Sequence, residues 1–337
     1  MSTGMSFALA DADRAAFLED GVVCLRDVLD PGEVELLRAA VARQMDALGS
    51  SPTGYDFEAM ARAVWDPEGR VDAGAATRFD MSAVRGLVDA DPDARPLMEA
   101  GSSPEPGLFF YDAAGWRADA GIREVAFRSA LPGIAAGLLS AERVYFWEDT
   151  TFVKAPRTRQ KTAFHQDLGY FQIEGDQCLV AWIPLDPAGL YNGVTQYVRG
   201  SHRWDEVYAP NIFITQTLFP EAEGPRCPDI EADPGAYDIV SFDVRPGDVI
   251  LHHVRTVHGA GGNPSGSWRR AVSLRYCGDQ VRYLDRKGAL PQPGGAGGLR
   301  NGDTLDAGDF PVVWPRRDDA DAGRSKPVPS RRLGSGL

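Results

Sequence analysis

Surplus positive charge is absent from this chain: 35 Lys and Arg stand against 48 Asp and Glu, a formal net charge of −13. Holding a phosphate backbone or anionic lipid headgroups takes clustered cations, so neither nucleic acid nor a membrane surface is an expected partner. Paired cysteines are missing as well. Cys24, Cys178, Cys227 and Cys277 show no CxxC spacing, which argues against a zinc knuckle or a disulfide framework and leaves reduced structural thiols. No hydrophobic run approaches the length of a membrane span, and the stretch a secretion signal would occupy carries Asp11, Asp13 and Arg14. A cytoplasmic location is the expectation. Internal repeats are not evident, and oligomeric state is not legible.

What is present is an ordinary globular composition, 43% hydrophobic and 25% charged over 337 residues, enough for a sizeable core. A short helix is predicted around Ala10 to Glu19, then a strand in GVVCLRDVL, then a helix in DPGEVELLRAAVARQMDAL. In that helix Asp30 suits the N-cap, Pro31 the first helical position and Glu33 a capping box, while Val34, Leu37, Val41 and Met45 form one apolar stripe. From 49 to about 121, Gly, Pro and Asp interrupt short helical pieces such as FEAMARAVW, and strands are hard to place. This stretch reads as lid or connecting structure. Helical signal returns from Gly121 to Ser140.

From Arg143 to Cys277 the chain offers short β-rich runs, among them VYFWEDTTFVKA, CLVAWIPL, TQYVRGSH, YDIVSFDV, DVILHHV and RRAVSLRY, separated by turn-rich pieces. Many strands and few helices point to a sandwich or barrel, with a jelly roll as one solution that limits exposed edges. The tail beyond Lys287 is rich in Gly, Pro and Asp and reads as loop. The expected organisation is one domain over 1–337: an N-terminal helical and lid region (1–142), a jelly-roll core (143–280) and a loop-rich C-terminal tail (281–337).

Only five His are present, and AFHQDLGYF sets one of them, His165, two positions before Asp167. With 48 acids in the chain, chance alone supplies roughly 0.7 such pairs, so the pair by itself carries little. In an extended segment, however, residues i and i+2 share a face and can reach one metal ion together. A third ligand must come from far along the chain, from His202, His252, His253 or His258. Two His and one carboxylate leave open positions of the kind non-haem Fe(II) oxygenases use. A dicarboxylate co-substrate filling two of them needs a planar cationic fork for its far end, and Arg269 and Arg270 are the candidates.

The pieces FLEDGVVCLRDVLDPGEVELLR, FVKAPRTRQKTAFHQD, WIPLD, NGVTQYVRGSH and PGDVILHHVRTVHGAGGNPSGSWRRAVSLRY follow one another in order. Together they resemble the phytanoyl-CoA dioxygenase family of Fe(II)- and 2-oxoglutarate-dependent oxygenases, over most of the chain. The resemblance implies a mainly β protein with flanking helices around a double-stranded β-helix (jelly-roll, cupin-like) core. It implies His165, Asp167 and His258 as iron ligands and catalytic centre, and Arg269 as the anchor of the distal 2-oxoglutarate carboxylate. It also implies Trp182 and Lys154 as linings of the co-substrate pocket. Strand alternation agrees on the arginines, because it turns Arg270 to the opposite face. Phe164 stands where the family often has Trp, and Val194, Thr195 and Gln196 depart from the usual lining after the Asn-Gly turn.

The implied activity is hydroxylation of a C–H bond of a small-molecule substrate, using Fe(II), 2-oxoglutarate and O2 and releasing succinate and CO2. Related iron halogenases carry a small residue where Asp167 stands, so hydroxylation is the default, with desaturation or cyclisation as outcomes of the same hydrogen abstraction. The rival readings are a 2-oxoglutarate- or metal-binding sensor without turnover and a zinc hydrolase on a cupin-like barrel. His202 is read as a loop hydrogen-bonder, His252 and His253 as structural, and Asp248 as a turn residue. A CoA thioester is not the expected substrate, since no basic cluster awaits its phosphates.

Overall fold

The computed structural model describes residues 7–51, 53–65, 81–91, 107–219, 221–290, 298–305 and 310–316. Helix α1 (Asp11–Asp20) leads into strand β1 (Val22–Leu25), and helix α2 (Pro31–Asp46) follows. The α2 start forms as its residues dictate: the Glu33 amide donates to Asp30 Oδ1 and the Asp30 amide to Glu33 Oε2, both at 2.9 Å. Such a cap contributes about 1 kcal/mol. Val34, Leu37, Ala40 and Val41 are buried along one face, each apolar side chain of this size worth about 1.5–3 kcal/mol when fully removed from water.

The next stretch holds β2 (Tyr55–Asp56), α3 (Phe57–Trp65), α4 (Met81–Ala90) and β3 (Phe109–Ala113). Helices α5 (Ala120–Arg128) and α6 (Leu131–Leu139) split the single helical signal predicted from Gly121 to Ser140. Strands β4 (Val144–Lys154), β5 (Thr162–His165), β6 (Ile173–Glu174), β7 (Cys178–Pro184) and β8 (Thr195–Val198) come next. The described strands end with β9 (Ile239–Ser241), β10 (Val249–His253), β11 (His258–Ala260), β12 (Arg269–Gly278), β13 (Arg282–Tyr283) and β14 (Val312–Trp314).

A large sheet runs β1-β10-β7-β12-β4-β3-β2, with β14 also on β4, and a smaller one runs β5-β11-β8-β9. All these pairs are antiparallel. This is the jelly-roll core expected, but its boundaries are wider than 143–280. Strands β1, β2, β3 and β14 join the large sheet from outside that range. The tail read as loop therefore supplies an edge strand, and its Phe310 stacks on Trp147 at 4.6 Å. Much of the presumed lid, 66–80 and 92–106, lies outside the described residues, as do 291–297, 306–309 and 317–337.

The large sheet is buried on both faces, which is why its strands read as near-continuous apolar runs rather than alternating ones. Leu179, Ala181, Ile183, Leu251, Val272 and Leu274 join the core under the helices. Their neighbours Val180, Trp182, His252, Ser273 and Arg275 face the interior between the sheets.

On the helix side, Asp149 is wholly buried. Its Oδ1 accepts the Trp116 amide at 2.8 Å and its Oδ2 has no hydrogen-bond partner among the described residues. Burial pushes its carboxyl up to about 7, against the pull of the Trp116 amide. The folded protein thus holds a proton that the unfolded chain releases near pH 4. The associated stability is intact below pH 4 and lost as pH rises through about 7. Asp149→Asn is expected to make the protein less sensitive to pH, gaining on the order of 3 kcal/mol over the parent between pH 4 and pH 8. Urea unfolding at both pH values checks this; parallel losses in parent and variant would rule it out.

Candidate metal centre and adjoining cavity

The cleft between the sheets draws on both. From the small sheet come β5 and β11, which pair so that His165 and His258 are directly opposite. Gln166 continues extended before a short 3-10 turn begins at Asp167, so His165 and Asp167 turn to the same side. The glycine after His258 is forced by packing: a Cβ on Gly259 would lie 3.0 Å from both the Phe164 ring and the Thr162 carbonyl oxygen. Gly193, in the Asn-Gly turn before β8, has a φ of +80°, and a Cβ there would meet the Gly262 carbonyl at 2.4 Å. Ser201 of the RGSH stretch clamps the segment before His258, accepting the Val257 amide at 2.8 Å while its hydroxyl donates to the Val198 carbonyl at 2.6 Å. Asn263 donates to the carbonyls of Lys154, Ala155 and Ser267, fixing the loop that delivers Arg269.

One ligand atom each from His165, Asp167 and His258 lie within 4.8 Å of one another, a spacing that a single cation spans. Asp167 Oδ1 is 3.5 Å from His165 Nε2 and 3.9 Å from His258 Nε2. Each ring is held by its other nitrogen: Nδ1 of His165 donates to the Ala163 carbonyl at 2.7 Å and Nδ1 of His258 to the Thr256 carbonyl at 2.9 Å. That bond fixes the tautomer, so both Nε2 lone pairs point at the shared centre. Burial, reinforced by the imidazoles of His165 and His252, pushes His258 well below the usual histidine range, which keeps it a neutral imidazole. Burial works against ionisation of Asp167, yet its carboxyl is held well below the usual range, with the Arg275 guanidinium the permanent positive charge among its neighbours.

Arg269 is 3% exposed, its Nε has no partner among the described residues, and its guanidinium carbon lies 5.9 Å from the Trp182 ring centre. Burial lowers it to about 10. Arg270 turns away and grips Asp186, Nη2 to Oδ1 at 2.7 Å and Nε to Oδ2 at 2.9 Å, as alternation predicts. A buried cation left without an anion is costly, and a carboxylate entering beside Trp182 relieves that cost. Trp182 lines the cleft as expected. Lys154, implied as another lining, is paired with Arg269 across β4 and β12; its ammonium donates to the Gly261 carbonyl at 2.7 Å and lies 4.4 Å from the centre of the Phe109 ring. It ties the end of β4 to the loop after His258.

Of the side chains read as structural, His202 and His253 are so placed. His202 contacts the Leu18 carbonyl, and His253 the Asp176 carbonyl and the Arg255 amide. Asp248 accepts from Arg26 and from the amides of Asp27 and Arg245, closing its turn onto the chain after β1. His252 is different. It faces the cleft, its Nε2 3.5 Å from Asp167 Oδ2, and neither ring nitrogen has a hydrogen-bond partner among the described residues. The two Asp167 oxygens are thus divided, Oδ1 toward the paired histidines and Oδ2 toward His252. Its signal was present in the register, since His252 follows by two the residue opposite Trp182, but pairing is not readable from one strand. His252→Phe is expected to lower Fe(II) affinity by about 10–100-fold while the fold persists, because a partner orienting a ligand carboxylate is lost. Equilibrium dialysis measures this; an unchanged affinity would return His252 to a packing role.

Beside the cleft lies an open cavity of about 940 Å³ that shares Phe152, Asp167, Phe213 and Arg275 with it. Arg275 is the other residue that the sequence analysis passed over. Its even spacing from Arg269 along β12 puts both guanidinium groups on one face.

Fold and site together define a double-stranded β-helix protein with a two-histidine, one-carboxylate triad. The chain belongs to the phytanoyl-CoA dioxygenase (PhyH) family, which it matches over residues 17–271. It is 26% identical over 145 residues to the human peroxisomal phytanoyl-CoA dioxygenase, covering 40% of each chain. It is 31% identical over 121 residues to a probable alpha-ketoglutarate-dependent hypophosphite dioxygenase of Stutzerimonas stutzeri, covering 36% of this chain and 41% of that protein. The matched segments thus span about 40% of the length of these curated relatives. Among solved structures, the epimerase SnoN in complex with Fe3+, alpha ketoglutarate and nogalamycin RO aligns with a TM-score of 0.61 at 21% identity, over 90% of this chain and 98% of that one. EctD from S. alaskensis with 2-oxoglutarate and 5-hydroxyectoine aligns at 0.54 and 19%, over 85% and 82%. At these identities the structural likeness is one of fold. Among the described residues no helix is long and apolar enough to cross a membrane.

Proposed function

We propose that this chain is an Fe(II)- and 2-oxoglutarate-dependent oxygenase that hydroxylates a C–H bond of a small-molecule substrate and releases succinate and CO2. The observation that carries the reading is the pairing of a buried His165–Asp167–His258 triad with a buried Arg269, whose Nε has no hydrogen-bond partner among the described residues, in one cleft. Family membership supports the same chemistry.

In this reading His165 and His258 hold iron through Nε2 and Asp167 holds it through a carboxylate oxygen. Arg269 pairs the distal carboxylate of 2-oxoglutarate, with Trp182 along the wall. Bound iron and 2-oxoglutarate supply, with O2, the oxidising power: one oxygen atom enters succinate and the other the substrate C–H bond. The protein's part is orientation and exclusion of water. Carbonyl-fixed imidazoles hold the triad rigid, and the Phe152 and Phe213 rings wall the side facing the cavity. The single-domain organisation proposed for the chain agrees with β-strands from both ends joining one sheet. Four free thiols suit a reducing, cytoplasmic setting.

The test is a screen of small molecules for stimulated succinate release by protein loaded anaerobically with Fe(II) and then given 2-oxoglutarate and O2. Succinate that rises with a second substrate, alongside a product heavier by one oxygen, supports the oxygenase. Binding of 2-oxoglutarate with no succinate under any substrate would favour a sensor, and tightly held zinc with no inhibition by N-oxalylglycine a hydrolase.

A further inference from the structure

The cavity beside the triad has a composition that selects its occupant. Just over half of its lining residues are aromatic, including Tyr55, Phe57, Tyr111, Phe152, Phe213 and Phe219. Several rings brace one another: Phe152 stacks on Phe213 at 5.7 Å and 8°, and Phe57 on Phe213 at 5.4 Å and 22°. A preformed aromatic wall recognises ring faces with little loss of its own freedom.

Polar groups are few, and one of them, Arg275, lines both the cavity and the cleft. Arg275 is 5% exposed; Nη1 donates to Thr150 Oγ1 at 2.5 Å and lies 3.6 Å from Glu148 Oε1, while Nε has no partner among the described residues. Glu148 also lines the cavity, and Asp167 stands at its junction with the cleft. The guanidinium charge is therefore already balanced. A ligand carboxylate or phosphate would face two protein carboxylates with no free cation, whereas a neutral oxygen acceptor satisfies a buried donor and adds no charge. The same ground argues against the diphosphate of a CoA thioester inside this cavity.

We propose that this cavity binds an uncharged, oxygenated aromatic or polycyclic substrate, a phenol or aryl ketone, whose oxygen accepts a hydrogen bond from Arg275 while a ring carbon lies beside Asp167 at the metal. The assignment rests on the oxygenase reading and names its substrate class. Arg269 and Arg275, on one face of β12, divide the work: the first holds the charged co-substrate, the second the neutral substrate.

Calorimetry on the whole 337-residue chain, loaded anaerobically with Fe(II) and 2-oxoglutarate, tests it with 9-fluorenone, fluorene, 9-fluorenone-2-carboxylate and decanoyl-CoA as probes. 9-Fluorenone is expected to bind at least about 10-fold more tightly than each of the other three, the margin of one hydrogen bond to a charged donor. Arg275→Met is expected to erase its advantage over fluorene, and Arg275→Lys, which keeps the charge beside Glu148, to reduce it in a folded protein. Decanoyl-CoA or the carboxylate binding as tightly as fluorenone would overturn the proposal, as would a fluorenone affinity untouched in a folded Arg275 variant. Fe(II) and 2-oxoglutarate titrations of the same samples separate the two levels. Their failure removes the oxygenase reading, whereas Arg269-dependent 2-oxoglutarate binding without selective fluorenone binding removes only the substrate class.

Discussion

Alanine at His258 is expected to abolish Fe(II)-dependent turnover and to lower Fe(II) affinity by more than about 100-fold, with His165→Ala behaving the same way. Loss of a group that merely orients a ligand costs about 10–100-fold in metal affinity, and loss of the ligand itself exceeds that. The geometry leaves no substitute of equal quality. His165 and His258 face each other across the β5–β11 pair, with Nδ1 of each committed to a backbone carbonyl. His252 sits on the other sheet, on the far oxygen of Asp167. Fe(II) retention after gel filtration, read together with succinate formation, checks the result. A His258→Ala protein that keeps both iron and activity would dismantle the site assignment. Thermal unfolding of the metal-free variants separates this from misfolding, since a cluster of buried imidazoles and one carboxylate does not hold the apoprotein together.

Arg269→Ala is expected to raise the 2-oxoglutarate KM by about 30-fold to several thousand-fold, equivalent to about 2–5 kcal/mol, with much smaller change in kcat at saturation. The range is wide because truncation removes both a charge-assisted pair and the burial cost that the cation carries. Binding of an anion that compensates a stranded cation has more to gain than a surface contact. Arg269→Lys keeps the charge without the planar fork and should fall between parent and alanine variant. Arg270→Ala supplies the contrast: it breaks the pair with Asp186 outside the cleft and should leave the KM nearly unchanged. Steady-state kinetics with 2-oxoglutarate varied settles both. Equal KM effects at 269 and 270 would mean that the co-substrate is not anchored on β12.

Some of this was open to reading residue by residue. The Asp30–Glu33 cap and the Val34–Leu37–Val41 stripe are local, governed by hydrogen bonds and faces within one helix, and they form as written. The turn of Arg270 away from Arg269 follows from the period of two in a strand. Strands β5 and β11 were not picked out as strands because four and three residues carry no pattern of their own; they exist through pairing with each other and with β8. Strand β14 escaped for a related reason: in a Gly- and Pro-rich tail, three residues become a strand only because β4 offers an open edge. Lys154, implied as a pocket residue by resemblance, donates to the Gly261 carbonyl, a partner set by loop packing and legible in no single strand.

The sequence by itself determined the donor set, one His-x-Asp pair, one distant His and one Arg at the start of a strand, because the chemistry of metal and carboxylate binding admits few residue types. Tertiary structure alone decided that His252 attends Asp167 and that Arg275 lines an aromatic cavity with Glu148. Those depend on strand register and on the separation of two sheets, quantities fixed by the burial of many side chains at once and written in no single stretch of the chain.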